Sequence, residues 1–200
     1  MGMRCACHTQ RRWKLKTVVF VCEKGGVGKT ALSDELVHHF KRLDVPVSLY
    51  SLDGQYESRG EVMDDAEVTV VDTAGSLGDD FGRVVGAADL VVVPVRPSFA
   101  DVEPFVRTID LVERSSKAPV LIVVNCCTPY TMTGKFLGWL VGQGWGKPVL
   151  TVPYSEAFAQ VIGTGKSVVG NDRYGKVSTS VLGLCNMVSD CLGLAREDAR

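Results

Sequence analysis

Six short runs along the chain are apolar at almost every position: residues 17–22 (TVVFVC), 45–51 (VPVSLYS), 67–72 (EVTVVD), 88–95 (ADLVVVPV), 118–125 (APVLIVVN) and 147–153 (KPVLTVP). They are rich in β-branched residues and too short for buried helices, so they read as strands. Between them the period changes. Residues 30–43 carry Leu32, Leu36, Val37, Phe40 and Leu43 at helical spacing, and residues 101–115 and 135–144 continue the helical pattern. The remainder reads as helical, with a glycine-rich break around residues 163–175. Strands that are apolar on both faces predict a parallel sheet covered by helices on both sides. Strand–helix alternation predicts a doubly wound, mostly parallel α/β fold, whose ligands lie at the carboxyl ends of the strands.

Composition narrows this reading. With 200 residues, the chain is expected to form one domain over residues 17–200, preceded by a basic extension over residues 1–16. That extension holds Arg4, Arg11, Arg12, Lys14 and Lys16 and no acid, as either a solvated tail or a phosphate-contacting arm. A net charge of −1 gives no bulk attraction to nucleic acid, so any such binding needs a local patch. The seven cysteines are an odd number and fall largely in apolar stretches. With no secretory leader ahead of them, they read as buried free thiols of a cytoplasmic protein. Cys5, Cys7 and His8 have no second cluster with metal-ligand spacing, and no apolar run reaches the length of a membrane span.

The chemistry concentrates after the first strand, in Glu23-Lys24-Gly25-Gly26-Val27-Gly28-Lys29-Thr30. The usual phosphate-binding loop reads G-x-x-x-x-G-K-[ST]. Here its end is satisfied by Gly28, Lys29 and Thr30, but glutamate stands at its first glycine position. Glycines let backbone N–H groups converge on phosphate, and the following helix offers its positive end to the anion. Lys29 would reach the β and γ phosphates, and the Thr30 hydroxyl would bind Mg²⁺. Asp72, an acid at the end of the run over residues 67–72, suits the same cation.

Lys24 through Thr30 resembles the deviant Walker A loop of the ParA/MinD family of P-loop ATPases, most nearly its small, ParF-like partition members. The resemblance runs collinearly over residues 17–168 and implies a P-loop NTPase fold using ATP and Mg²⁺. It places nucleotide contacts along Gly25, Gly26, Val27, Gly28, Lys29, Thr30 and Ala31. It also implies that Lys24 crosses a dimer interface to the other subunit's triphosphate, which makes both lysines catalytic; a mere surface lysine is the alternative.

The same resemblance extends to later positions. Ser51-Leu52-Asp53-Gly54-Gln55 stands where the family has D-x-D-P-Q; the retained Asp53 would arrange the attacking water near Mg²⁺, or else simply form an Asp-Gly turn. The glycine in place of proline loosens that turn. Asp72 takes the Walker B role, and Gly75 falls in the second switch. Arg96 is either a phosphate or partner contact or an exposed side chain. Asn125 reads the adenine edge, or caps a strand-end turn. Pro153 lines the base pocket. Only fourteen residues, 53–66, lie between Leu52 and Glu67, so the family's helical insertion after the first switch is reduced.

The function implied is an ATP-dependent dimerising ATPase of plasmid or chromosome partition, stimulated by a centromere-binding, ParB/ParG-like partner. It would be cytoplasmic, with nucleoid association if it binds nonspecific DNA. Lys166, Arg173, Lys176, Lys135 and Lys147 are the candidate DNA contacts, each also compatible with a plain solvated surface. A conjugation or plasmid-maintenance accessory ATPase, a MinD-like membrane-positioning ATPase and a metabolic P-loop enzyme are the alternatives. Residues 178–195 argue against membrane attachment, because their polar side is serine, asparagine and aspartate with no lysine or arginine.

Overall fold

The computed structural model describes residues 15–52, 62–75, 80–170 and 174–197. Asp53, Arg173 and the first fourteen residues lie outside that set. All six expected strands form: β1 (Lys16–Phe20), β2 (Val47–Ser51), β3 (Val68–Asp72), β4 (Leu90–Val95), β5 (Val120–Cys127) and β6 (Val149–Pro153). They make one sheet in the order β2-β3-β1-β4-β5-β6, and every pairing is parallel. The second strand starts two residues later than the apolar run, because Pro46 has no N–H for the ladder; its carbonyl instead accepts from Glu67 and Val68 at 2.8 and 3.1 Å.

Alternate strand residues divide between two cores. Val18, Phe20, Leu49, Val70, Val92, Val123 and Val152 face α1 (Lys29–Arg42), α5 (Ala157–Val161) and α6 (Gly175–Leu192). Val19, Val71, Val91, Val93, Ile122 and Val124 face α2 (Phe81–Gly86), α3 (Phe99–Ser115) and α4 (Thr131–Gly142). Burial on both sides is why the strand pattern is continuous rather than alternating. The α2 helix, six residues with two glycines and only Val85 buried, carries too short a period to be read from sequence. The α3 helix begins at Phe99 rather than 101 because the Ser98 hydroxyl accepts the Ala100 N–H at 3.2 Å.

The α6 helix settles the C-terminal segment. Its apolar face (Val177, Val181, Leu184, Cys185, Val188, Leu192) is buried in the first core. No helix among the described residues is long and apolar enough to cross a membrane. The described cysteines are free, but their burial is uneven: Cys22 and Cys185 are buried, Cys126 and Cys127 half-buried, and Cys191 exposed on the last turn of α6.

A buried carboxylate ties the glycine-rich break to α1. Glu35, 2% exposed, accepts from the Val168 N–H at 3.0 Å and from the Ser167 hydroxyl. Burial pushes its carboxyl above the ordinary 4.5, against the lowering effect of those two donors. A folded-state value raised in this way means that stability from Glu35 is full below 4.5 and is lost as pH rises through the folded value. Glu35→Gln keeps an acceptor for Val168 without the charge, so it should gain on the unaltered protein as pH rises from about 4.5 toward neutrality. Glu35→Ala strands both donors and should cost about 1–3 kcal/mol. Thermal melts of the three proteins across pH check both statements.

Candidate functional site

The sheet order reverses around β1. The chain runs out to β2 at one edge, returns through β3, then crosses to β4 and continues to the other edge. The crevice beyond the carboxyl ends of β1, β3 and β4 is where a doubly wound sheet places its ligands. Residues 21–28 cross this crevice and lead directly into α1.

Gly26 and Gly28 hold φ of +71° and +97°, left-handed values that let the loop turn back on itself. Gly28 is fixed for a second reason. A Cβ there would lie 2.2 Å from Asn125 Nδ2. Gly28→Ala is therefore expected to displace the loop and eliminate measurable nucleotide binding, with the fold retained. Nucleotide titration alongside circular dichroism checks this.

Lys29 is buried at 7% exposure, and its Nζ donates to the carbonyls of Cys22 at 3.1 Å and Lys24 at 3.4 Å. A buried ammonium needs such acceptors. They hold it within the curl of the loop, so the charge is in place before any anion arrives. Desolvation pushes the Cys22 thiol above its ordinary value, so it is a neutral packing group beneath the loop. Thr30 Oγ1 donates to Asp72 Oδ2 at 2.6 Å, and Asp72 is 2% exposed. One hydroxyl and one carboxylate oxygen side by side are the hard donors that Mg²⁺ takes, together with waters and phosphate oxygens.

The segment after β3 is seated against the loop. Thr73 Oγ1 donates to the Phe20 carbonyl at 2.9 Å. Two residues on, a Cβ on Gly75 would stand 3.4 Å from the Cα and backbone nitrogen of Gly25. Gly75 therefore lies close beside the backbone of the loop at Gly25.

Asn125 is a buried amide bonded to the loop. Its Nδ2 donates to the Val27 carbonyl at 2.9 Å, and the side chain is 4% exposed. Its Oδ1 is buried without a hydrogen-bond partner among the described residues. Rather than ending the strand, Asn125 precedes a bulge. Cys126 adopts φ +57°, the β5–β6 register shifts between Val124 and Cys127, and the strand resumes opposite Pro153. Pro153 lies at the sheet edge, in an open groove of about 430 Å³ shared with Cys127, Thr151, Lys176, Thr179 and Ser180. Lys24, Lys29, Thr30, Asp72, Gly75 and Asn125 therefore gather at the loop, while Pro153 lines that groove beside Cys127, two residues beyond Asn125.

Arg96 is neither loose nor idle. Its Nε and Nη2 donate to Asp101 Oδ2 and Oδ1 at 2.8 and 3.2 Å, a two-pronged pair with a carboxylate only 1% exposed. The bond to Asp101 raises the guanidinium's value further. Among the DNA candidates, Lys147 is already paired with Glu113 at 2.5 Å. Sequence reasoning missed one arrangement altogether. The Glu23 carboxylate takes two bonds from Arg107 of α3, and the Glu23 N–H donates to Thr108 Oγ1 at 3.1 Å.

No protein-family model and no curated protein matches the chain by sequence. Solved structures do match by shape. An ATP complex of a Cyanothece McdA variant aligns with TM-score 0.73 and 14% identity, over 92% of this chain and 99% of that one. MinD from Pyrococcus horikoshii with Mg-ADP gives 0.71 and 10%, over 90% and 98%. A Borrelia burgdorferi protein assigned to plasmid partition, bound to AMPPNP, gives 0.69 and 15%, over 86% and 98%. The chain has the P-loop NTPase fold of MinD and ParA-type proteins.

Proposed function

We propose that the chain is an ATPase of the ParA/MinD type that binds Mg²⁺ and ATP in the loop from Gly25 to Ala31 and dimerises around the nucleotide. The observation that carries this reading is the buried Lys29 ammonium held inside a loop of left-handed glycines, with Thr30 bonded to Asp72 beside it. Those groups suit a triphosphate with its cation and little else of that size and charge. The solved neighbours with ATP, Mg-ADP and AMPPNP support the same ligand class.

Each residue has a physical task in this reading. Backbone N–H groups of Gly26, Val27 and Gly28 and the α1 N-terminus cradle phosphate oxygens. Lys29 exchanges its carbonyl acceptors for the β and γ phosphates. Thr30 and Asp72 would hold Mg²⁺ from the protein side, and the cation would supply positive charge to the triphosphate. Asp53, outside the described residues, orients the attacking water. The backbone N–H near Gly75, close beside Gly25, would sense the γ-phosphate. Asn125 fastens Val27, and its buried, unpartnered Oδ1 would accept from the adenine amino group only once the side chain is uncovered, with Pro153 lining the base pocket. Lys24 reaches the partner copy's triphosphate, so that dimer closure requires ATP and brings a second ammonium to the transferring group.

The biological task we infer is DNA partition, with hydrolysis stimulated by a centromere-binding protein and the ATP dimer resting on nonspecific DNA through Lys166, Lys176 and Arg173. Membrane positioning is disfavoured because the apolar face of α6 is spent on the core. Co-sedimentation with DNA in ATP or ADP, at rising salt, tests the assignment. Binding with ATP alone, weakening steeply with salt, is expected; an ATPase that ignores DNA in both states would point to an accessory or metabolic role.

A further inference from the structure

Glu23 stands where a phosphate loop ordinarily has glycine, and a carboxylate beside a triphosphate is electrostatically adverse. The structure supplies a counterweight 84 residues away. Arg107 on α3 donates through Nε to Glu23 Oε2 at 2.8 Å and through Nη2 to Glu23 Oε1 at 3.2 Å. Its Nη1 donates to Glu103, which is 83% exposed and therefore well screened by water. The next residue along α3 holds the loop's backbone, through the bond from the Glu23 N–H to Thr108. The loop entrance is thus gripped by α3 from the side opposite α1.

We propose that Arg107 is a positioning residue for nucleotide binding: it cancels the Glu23 charge and holds that side chain against α3, away from the phosphates. The proposal rests on the nucleotide reading above. With Arg107 in place, the loop meets an incoming triphosphate with the charges of Lys24 and Lys29. Without it, Glu23 is free to repel the phosphates and to pair with Lys24, its neighbour in the loop. Arg107 is half-exposed, so any macromolecule that bound this stretch of α3 and drew the guanidinium away would loosen the nucleotide without touching it.

The test is a cycle of calorimetric titrations with ATP, ADP and AMP on the unaltered chain, Arg107→Gln, Glu23→Gln and the double variant. Arg107→Gln should weaken ATP roughly three- to tenfold, ADP less and AMP scarcely, and the loss should shrink at high salt. Glu23→Gln should not weaken ATP, and the double variant should return to within about twofold of the unaltered chain. Arg107→Lys keeps the charge and should retain most of the affinity, which guards against a folding defect in the glutamine variant. A double variant as weak as Arg107→Gln, or an equal loss for all three nucleotides, would overturn the proposal. Unchanged binding by Arg107→Gln overturns it alone; an unaltered chain that binds no ATP removes the nucleotide reading as well.

Discussion

Lys29→Ala is expected to remove ATP binding and, with it, hydrolysis. The ammonium is buried and prearranged inside the loop, bonded to the carbonyls of Cys22 and Lys24. Deleting one partner of a desolvated charge pair costs about 2–5 kcal/mol, which is a loss of roughly thirty- to several-thousand-fold in affinity. The loop suffers too, because those two carbonyls lose their donor. The fold should survive: the hydrophobic contacts of α1 through Leu32, Leu36 and Phe40 do not involve Lys29. Equilibrium titration with a fluorescent ATP analogue, beside a thermal melt, separates lost binding from lost structure. Lys29→Arg is not a rescue, since a planar fork does not fit a pocket built around a point charge.

Lys24→Ala should behave differently, and the contrast between the two lysines is the sharper claim. Lys24 is half-buried, and its carbonyl accepts from Lys29. Alanine preserves that carbonyl, so monomer affinity for ATP should stay within about threefold of the unaltered chain. What should disappear is ATP-dependent dimerisation, with turnover falling at least about a hundredfold if the trans ammonium stabilises the transferring phosphoryl group. Sedimentation velocity with ATP and with ADP reads the first, and a phosphate-release assay reads the second. A Lys24→Ala protein that dimerises normally with ATP removes the trans role.

The architecture was written plainly in the sequence because burial on both sheet faces leaves an unbroken apolar signature in each strand. Helices α1, α3 and α6 were equally plain, since each carries several turns of one buried stripe. The α2 helix and the four-residue-earlier start of α4 were not, for want of enough period to register. That Thr30 and Asp72 meet was legible because one opens the helix after β1 and the other ends the neighbouring strand β3. Asn125 was legible as a residue but not as a geometry. Nothing local announces that Cys126 turns left-handed at a bulge just after Asn125, or that the Asn125 amide bonds Val27. Glu23 was visible only as a departure from pattern. Its explanation lies in Arg107 and Thr108, on a helix that pattern reasoning had no means of bringing to the loop.

The two lysines are already held differently in this loop. Lys29 is drawn inward by carbonyls of its own chain, while the residue before Lys24 is anchored sideways to α3. The most direct examination of the account is a crystal structure of the chain with Mg²⁺ and a non-hydrolysable ATP analogue. The account predicts two copies facing across the nucleotides, each Lys24 Nζ within hydrogen-bond distance of the other copy's triphosphate and each Lys29 on its own. A nucleotide-bound monomer, or a dimer in which Lys24 points to solvent, would contradict it.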